Sequence, residues 1–114
     1  MYLHNTLRDE HGNSYSMCGV VDGECFYTGK PVRFGYVELT EKKPNFMEVG
    51  KKIKGHEFHY YDSSCNGQDC YAKKPVGDRG WECIHSEKNH FWGFPHLYYP
   101  SNISFIAHFI EEAG

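Results

Sequence analysis

Long apolar runs are missing from this sequence of 114 residues. No window approaches the ~18 apolar residues that a membrane-spanning helix needs, and mean hydropathy is -0.67. A secretory leader is lacking too, so the expectation is a soluble, cytoplasmic protein with no membrane partner. Neither sign of charge dominates: 12 Lys and Arg stand against 15 Asp and Glu, a net charge of -3. With a pI near 6.2, nucleic-acid binding is not the expected business. The chain has no repeat, no low-complexity segment and no interior linker, which leaves one domain over residues 1–114.

Two further absences concern metals and thiols. The five cysteines are Cys18, Cys25, Cys65, Cys70 and Cys83, an odd number that cannot all pair within one chain. They follow no secreted disulfide pattern, so reduced thiols are expected. Cys65 and Cys70, followed by Cys83 and His85, carry zinc-ligand chemistry but not the tight C-x2-C knuckle, and no metal is expected. The zinc-protease signature is absent as well. His56-Glu57 is followed by a histidine at 59, three residues on and in a strand-like stretch, whereas the signature needs H-E-x-x-H on a helix.

What is there is aromatic. Phe, Trp and Tyr make up 17% of the chain, many of them beside histidines and glycines in the second half. Strands packed around a pocket would use them so, as would an ordinary core. Leu3 and Leu7, at i and i+4, predict a short uncapped helix over residues 1–9, stopped by Glu10-His11-Gly12-Asn13. Residues 15–21 and 25–27 predict a hairpin across an Asp22-Gly23 turn. Residues 32–39 read as a strand, with Gly35 where something approaches closely. Residues 40–45 read as a solvated, charged loop. Residues 55–62 read as a strand whose alternation puts His56, Phe58 and Tyr60 on one face and Glu57, His59 and Tyr61 on the other. Further strands are expected over 69–74 and 81–85.

The stretch from Gly93 to Asn102 organises the rest. An aromatic strand carries His96 near its carboxyl end, breaks at Pro100, offers Ser101 or Asn102 as an N-cap, and enters a helix to Glu112. Ile103, Ile106, Ala107 and Ile110 recur at i, i+3, i+4 and i+7, predicting a face packed on a sheet that Phe105 and Phe109 widen. Open α/β sheets place their chemistry at such strand ends. His96 is therefore a candidate catalytic residue.

Arg33-Phe34-Gly35-Tyr36, Gly55-His56-Glu57-Phe58-His59-Tyr60 and Gly93-Phe94-Pro95-His96-Leu97-Tyr98-Tyr99-Pro100-Ser101-Asn102 together resemble the glutamine amidotransferase domain of cobyrinic acid a,c-diamide synthases. Trp81-Glu82-Cys83-Ile84-His85-Ser86 resembles it too. The resemblance covers almost the whole chain. It implies an α/β fold, part of a class I, flavodoxin-like sheet flanked by helices. In that family Cys-Gly-Gly precedes a helix that commonly continues Met-Tyr-Leu, as at Met1-Tyr2-Leu3. The nucleophile and the ATP-binding domain would then lie before residue 1, leaving this chain alone inactive. The family usually has proline where Ile103 stands.

The resemblance makes His96 the catalytic histidine of a glutaminase that passes ammonia to ATP-activated a and c carboxylates of cobyrinic acid, a step of cobalamin biosynthesis. Related amidotransferases orient that histidine with a glutamate two residues on, where this chain has Tyr98. His56, Glu57 and His59 are candidate pocket or substrate residues, with structural bracing as the alternative. Lysines 51, 52, 54, 73 and 74 could meet a polycarboxylate or simply be solvated. No cofactor is expected in this chain, and ATP with Mg2+ is expected in the full enzyme. Glutamine and a corrinoid are its expected partners, and a homo-oligomer is compatible. Amidation of a nickel tetrapyrrole (Ni-sirohydrochlorin) and a catalytically inactive remnant are the alternatives.

Overall fold

A computed structural model describes residues 1–114, which form eleven short strands and one helix. The strands are β1 (His4–Arg8), β2 (Ser14–Ser16), β3 (Val21–Tyr27), β4 (Gly35–Glu41), β5 (Lys52–Glu57) and β6 (Tyr61–Ser63). They continue as β7 (Cys70–Lys73), β8 (Gly80–Cys83), β9 (His85–Glu87), β10 (His90–Trp92) and β11 (His96–Tyr98), and α1 spans Ile103–Glu112. The chain divides into two units, residues 1–34 with 58–66, and residues 35–57 with 67–114.

The first unit is a four-stranded sheet in the order β2-β1-β3-β6. The helix expected over residues 1–9 is strand β1 instead. Two leucines one turn apart are a weak helical signal, and the β-favouring Thr6 between them pairs with Ser16 of β2. β1 also runs parallel to β3, with Leu7 opposite Cys25. Two of its residues, His4 and Leu7, are buried. The stop at residues 10–13 is a true turn: Asp9 Oδ1 accepts the N–H groups of His11 and Asn13 at 2.9 and 2.8 Å, and Gly12 sits at a φ of 83°. Asp22 and Gly23, expected to turn, lie inside β3. A Cβ on Gly23 would stand 2.8 Å from Ser64 Oγ and 3.0 Å from the Cβ of Cys65, so its glycine serves close packing.

The second unit is built on a five-stranded antiparallel sheet, β11-β5-β4-β7-β8, with β9 and β10 as a separate hairpin. Alternation in β4 and β5 sends Val37, Leu39, Ile53 and Gly55 inward. Phe105 of α1 is buried against Phe46 and Phe91, with ring centroids 5.3 and 5.0 Å apart. The expected charged loop at 40–45 is partly wrong, because Glu41 ends β4 and is buried. Its Oε2 accepts the N–H groups of Asn45, Phe46 and Met47 at 3.2, 2.9 and 2.8 Å, and its Oε1 accepts the Ser86 hydroxyl. A buried carboxylate so satisfied fixes the path of residues 42–47.

The expected strand over 55–62 is two strands. β5 stops at Glu57 and β6 begins at Tyr61, so His56 and Phe58 do not share one pleated face. The helix is where the sequence placed it, with Asn102 as the N-cap accepting from Phe105 N at 3.3 Å, and the last strand is shorter than expected, His96–Tyr98. The helix is turned, however. Most of the stripe expected to face the sheet is outward: Ile103 is 65% and Ile110 64% exposed, while Ile106 is half-buried. The aromatic clamp on Phe105 decides the orientation, because burying that ring rotates the stripe to the opposite side. The class is therefore α/β, mostly strands in mixed sheets with one helix. The flavodoxin-like layout is not seen among these strands, whose parallel ladder is β1–β3.

In the first unit Asp62 is only partly accessible. Burial raises its pKa, but the Arg33 guanidinium at 2.7 Å, the Asn66 amide and the Ser63 N–H together outweigh it and hold the carboxyl below the usual range. A pKa lowered by folding adds stability above the unfolded value of about 3.9, lost as pH falls through the native one. Amide-exchange protection across β3–β6 is expected to drop below about pH 4, and Asp62→Asn is expected to flatten that drop. An unchanged profile in Asp62→Asn would remove this carboxylate from the account.

Candidate functional site

The outward face of the five-stranded sheet collects the chemistry. β11 is an edge strand that pairs antiparallel with β5, placing His96 opposite His56, Leu97 opposite Gly55 and Tyr98 opposite Lys54. β5 in turn places His56 opposite Tyr36 of β4. Residues two apart share a face, so one row runs His96, His56, Tyr36, and the next runs Tyr98, Lys54, Glu38. The Tyr36 and His56 rings meet edge to face, 5.2 Å between centroids. A shallow groove of about 410 Å³ lies among Tyr36, Lys54, Gly55, His56, His96, Leu97 and Tyr98.

His96 stands at the start of its strand and not near the end, as the sequence suggested. Pro95 has no N–H to give to a ladder, so pairing starts one residue later. The imidazole is exposed and takes no hydrogen bond from within the chain. The exit of β11 is fastened to β5: Lys54 N donates to Ser101 Oγ at 2.8 Å, and Asn102 Nδ2 donates to Lys52 O at 3.2 Å. The backbone under His96 is therefore held while its ring is left open.

Of the other candidates, His56 shares the groove with His96 and Glu57 does not. Glu57 follows His56 in β5 and points to the buried side, with 1% exposure, the structural alternative for that residue. His59 belongs to the first unit, where its Nδ1 lies 2.6 Å from Tyr61 O. Among the lysines, Lys54 lines the groove, Lys52 reaches Glu38 at 3.5 Å, and Lys74 lies 5.7 Å from the Trp81 ring centre. Tyr36 and Gly55 were not singled out as site residues. Both sit in quoted motifs, and alternation along β4 would have put Tyr36 outward.

None of the five cysteines is in a disulfide. Cys70 and Cys83 face each other across β7–β8 and are buried, whereas Cys18 is exposed. Burial raises the thiol pKa of Cys25, and burial with the neighbouring Cys83 raises that of Cys70. No group of three His, Cys, Asp or Glu is arranged to hold a metal. No cysteine precedes α1 at a strand-to-helix turn.

No family model matches the chain. Curated relatives do. A cobyrinate a,c-diamide synthase of Caldanaerobacter subterraneus subsp. tengcongensis is 40% identical over 100 residues, 85% of this chain and 22% of the relative. The chain belongs to the cobyrinate a,c-diamide synthase family. A cobyrinate a,c-diamide synthase of Fusobacterium nucleatum subsp. nucleatum is 36% identical over 110 residues, 93% of this chain and 24% of the relative. One of Picrophilus torridus is 32% identical over 113 residues, 98% and 24% respectively. The chain thus spans about a quarter of the length of these cobyrinate a,c-diamide synthases.

Two expectations follow from the geometry. A Cβ on Gly55 would lie 3.0 Å from the His96 carbonyl oxygen and 3.3 Å from Leu39 Cδ1. Gly55→Ala is expected to cost about 1–3 kcal/mol by overpacking and to shift β11, read as a lower urea midpoint with a moved His96 NMR signal. A wild-type midpoint and signal would show that β11 does not depend on the missing side chain. A thiol reagent should label Cys18 first and Cys65 next, while Cys25, Cys70 and Cys83 react only after unfolding, because burial shields all three and the raised thiol pKa of Cys25 and Cys70 adds to it. Fast labelling of Cys70 in the native chain would contradict this.

Proposed function

We propose that this chain is the histidine-bearing part of the glutamine amidotransferase domain of a cobyrinate a,c-diamide synthase, and that His96 is its general base. The observation that carries the reading is His96 itself. It lies in the most specific of the family motifs, exposed over an open groove, on a backbone fastened to β5, with its imidazole free to take a proton. Family membership supports the rest.

The chemistry needs an imidazole of that kind. His96 takes the proton of a cysteine thiol, and the thiolate attacks the amide carbon of glutamine. The tetrahedral adduct collapses to a glutamyl thioester as the imidazolium returns the proton to the departing nitrogen, which leaves as ammonia. Water then cleaves the thioester to glutamate and regenerates the thiol. In this reading His56, opposite His96 and in edge-to-face contact with the Tyr36 ring, lines the glutamine site. Lys54 supplies a positive charge beside it for the substrate carboxylate. Tyr98 occupies the position two residues on, so the chain offers no local carboxylate to orient His96.

The nucleophile is not supplied by the chain's own cysteines. Cys25, Cys70 and Cys83 are buried within strands, Cys18 is followed by Gly19-Val20-Val21 rather than by a helix, and Cys65 leads through Asn66-Gly67 to β7, again not to a helix. In this reading, activation of the a and c carboxylates by ATP with Mg2+ falls to the part of the relatives that this chain does not match. Ammonia would be handed to that part, with a corrinoid as acceptor.

The pure 114-residue chain is expected to release no ammonia from glutamine. Supplied with the unmatched part of the Caldanaerobacter relative, it is expected to do so, and His96→Asn to lower kcat by about 10²–10⁴-fold with little change in KM. Ammonia release from the chain alone, or full activity with His96→Asn, would overturn the assignment.

A further inference from the structure

Helix α1 has two apolar faces, and the structure uses one. Phe105 is buried and Phe109 lines the aromatic cleft with Phe46 and Phe91. At 3.6 residues per turn, Ile103, Ala107 and Ile110 lie on the opposite side, with Ile106 half-buried at its margin. Ile103 and Ile110 are 65% and 64% exposed.

Single exposed apolar side chains need no explanation, but this is a register. Three isoleucines at i, i+3 and i+7 repeat the spacing of a buried helix face. Local helix formation does not account for them either, because β-branched residues are poorer helix formers than alanine or leucine. A helix that sits on the surface of its unit would ordinarily carry polar residues there. The stripe is thus built for contact, and its Ile103 and Ile110 side chains are left uncovered while Ile106 is half-buried.

The occupant is constrained by size. A ten-residue helix is about 15 Å long and about 10 Å wide. A second copy docked stripe to stripe would bury only a few hundred Å² per partner, against roughly 800 Å² in stable complexes. The cover must be a body whose contact extends past the helix. The relatives supply one: the match leaves out about three quarters of each cobyrinate a,c-diamide synthase.

We propose that the Ile103–Ile106–Ile110 stripe of α1 is a docking surface for the polypeptide equivalent to that unmatched part, which presents an apolar sheet or helix face to it. The inference rests on family membership and on the exposed stripe, and is independent of what His96 does.

The test is a binding measurement that reads no activity. The 114-residue chain is mixed with the separately produced unmatched part of the Caldanaerobacter relative, and the complex is followed by light scattering and calorimetry. A one-to-one complex is expected. Ile103→Lys and Ile110→Lys should each weaken it by about ten- to a hundredfold, the worth of a buried isoleucine, while Glu111→Lys leaves it unchanged. Circular dichroism checks that the variants keep their fold, and Ile103→Ser with Ile110→Ser replaces any that do not. Three results would overturn the proposal: no complex at micromolar concentration, a complex indifferent to the stripe variants, or a parent chain that self-associates through the stripe and is dispersed by Ile110→Lys.

Discussion

The ladder between β4 and β5 is the constraint on which the second unit depends. Its register runs unbroken from Gly35↔Glu57 to Thr40↔Lys52, and both flanking strands are hung on it: β7 on β4, β11 on β5. Because side chains alternate across a strand, one register fixes two surfaces at once. Val37, Leu39 and Ile53 go to the core, and Tyr36, Glu38, Lys54 and His56 go out. A slip by one residue would bury the histidine and the lysine and expose the core.

That same register creates the groove. His96 reaches it by pairing rather than by any local signal, since β11 needs β5 as its neighbour and Gly55 leaves room for the approach. The outward row His96, His56, Tyr36 therefore joins three separate segments of chain. On the buried side the corresponding device is Glu41, whose carboxylate gathers three backbone N–H groups and the Ser86 hydroxyl. One end of β4 thus presents an aromatic to the open face, and the other anchors a loop beneath it. The site is open because the backbone around it is closed elsewhere: the turn after β11 spends its Ser101 and Asn102 side chains on β5, leaving the His96 ring without a task in the fold.

Much of this was legible where short-range rules act. The break at Pro100, the asparagine cap, the last helix and the strands around residues 70–73 and 96–98 follow from turn chemistry and alternation, which depend on near neighbours. The family motifs marked His96 and its companions. The misreadings share one cause. Residues 1–9 have a faint helical spacing that pairing with β2 and β3 overrides, and Asp22-Gly23 looks like a turn until close packing against Ser64 and Cys65 is known. Glu41 looks like a solvated charge in a charged segment. Each depends on a partner far away in the chain.

By itself the sequence determined the class of protein: an α/β chain of mixed charge, with no helix long and apolar enough to cross a membrane, and membership of the cobyrinate a,c-diamide synthase family. It also determined that His96 and His56 would lie on strands. Tertiary structure alone decided that these two would stand side by side while Glu57, adjacent in sequence, would be buried away from them. It alone decided which face of α1 would be covered. The physical reason is that composition, capping and periodicity are properties of a few consecutive residues. Register between strands and the rotation of a helix about its axis are instead set by which distant side chains bury most favourably together, here Phe105 against Phe46 and Phe91.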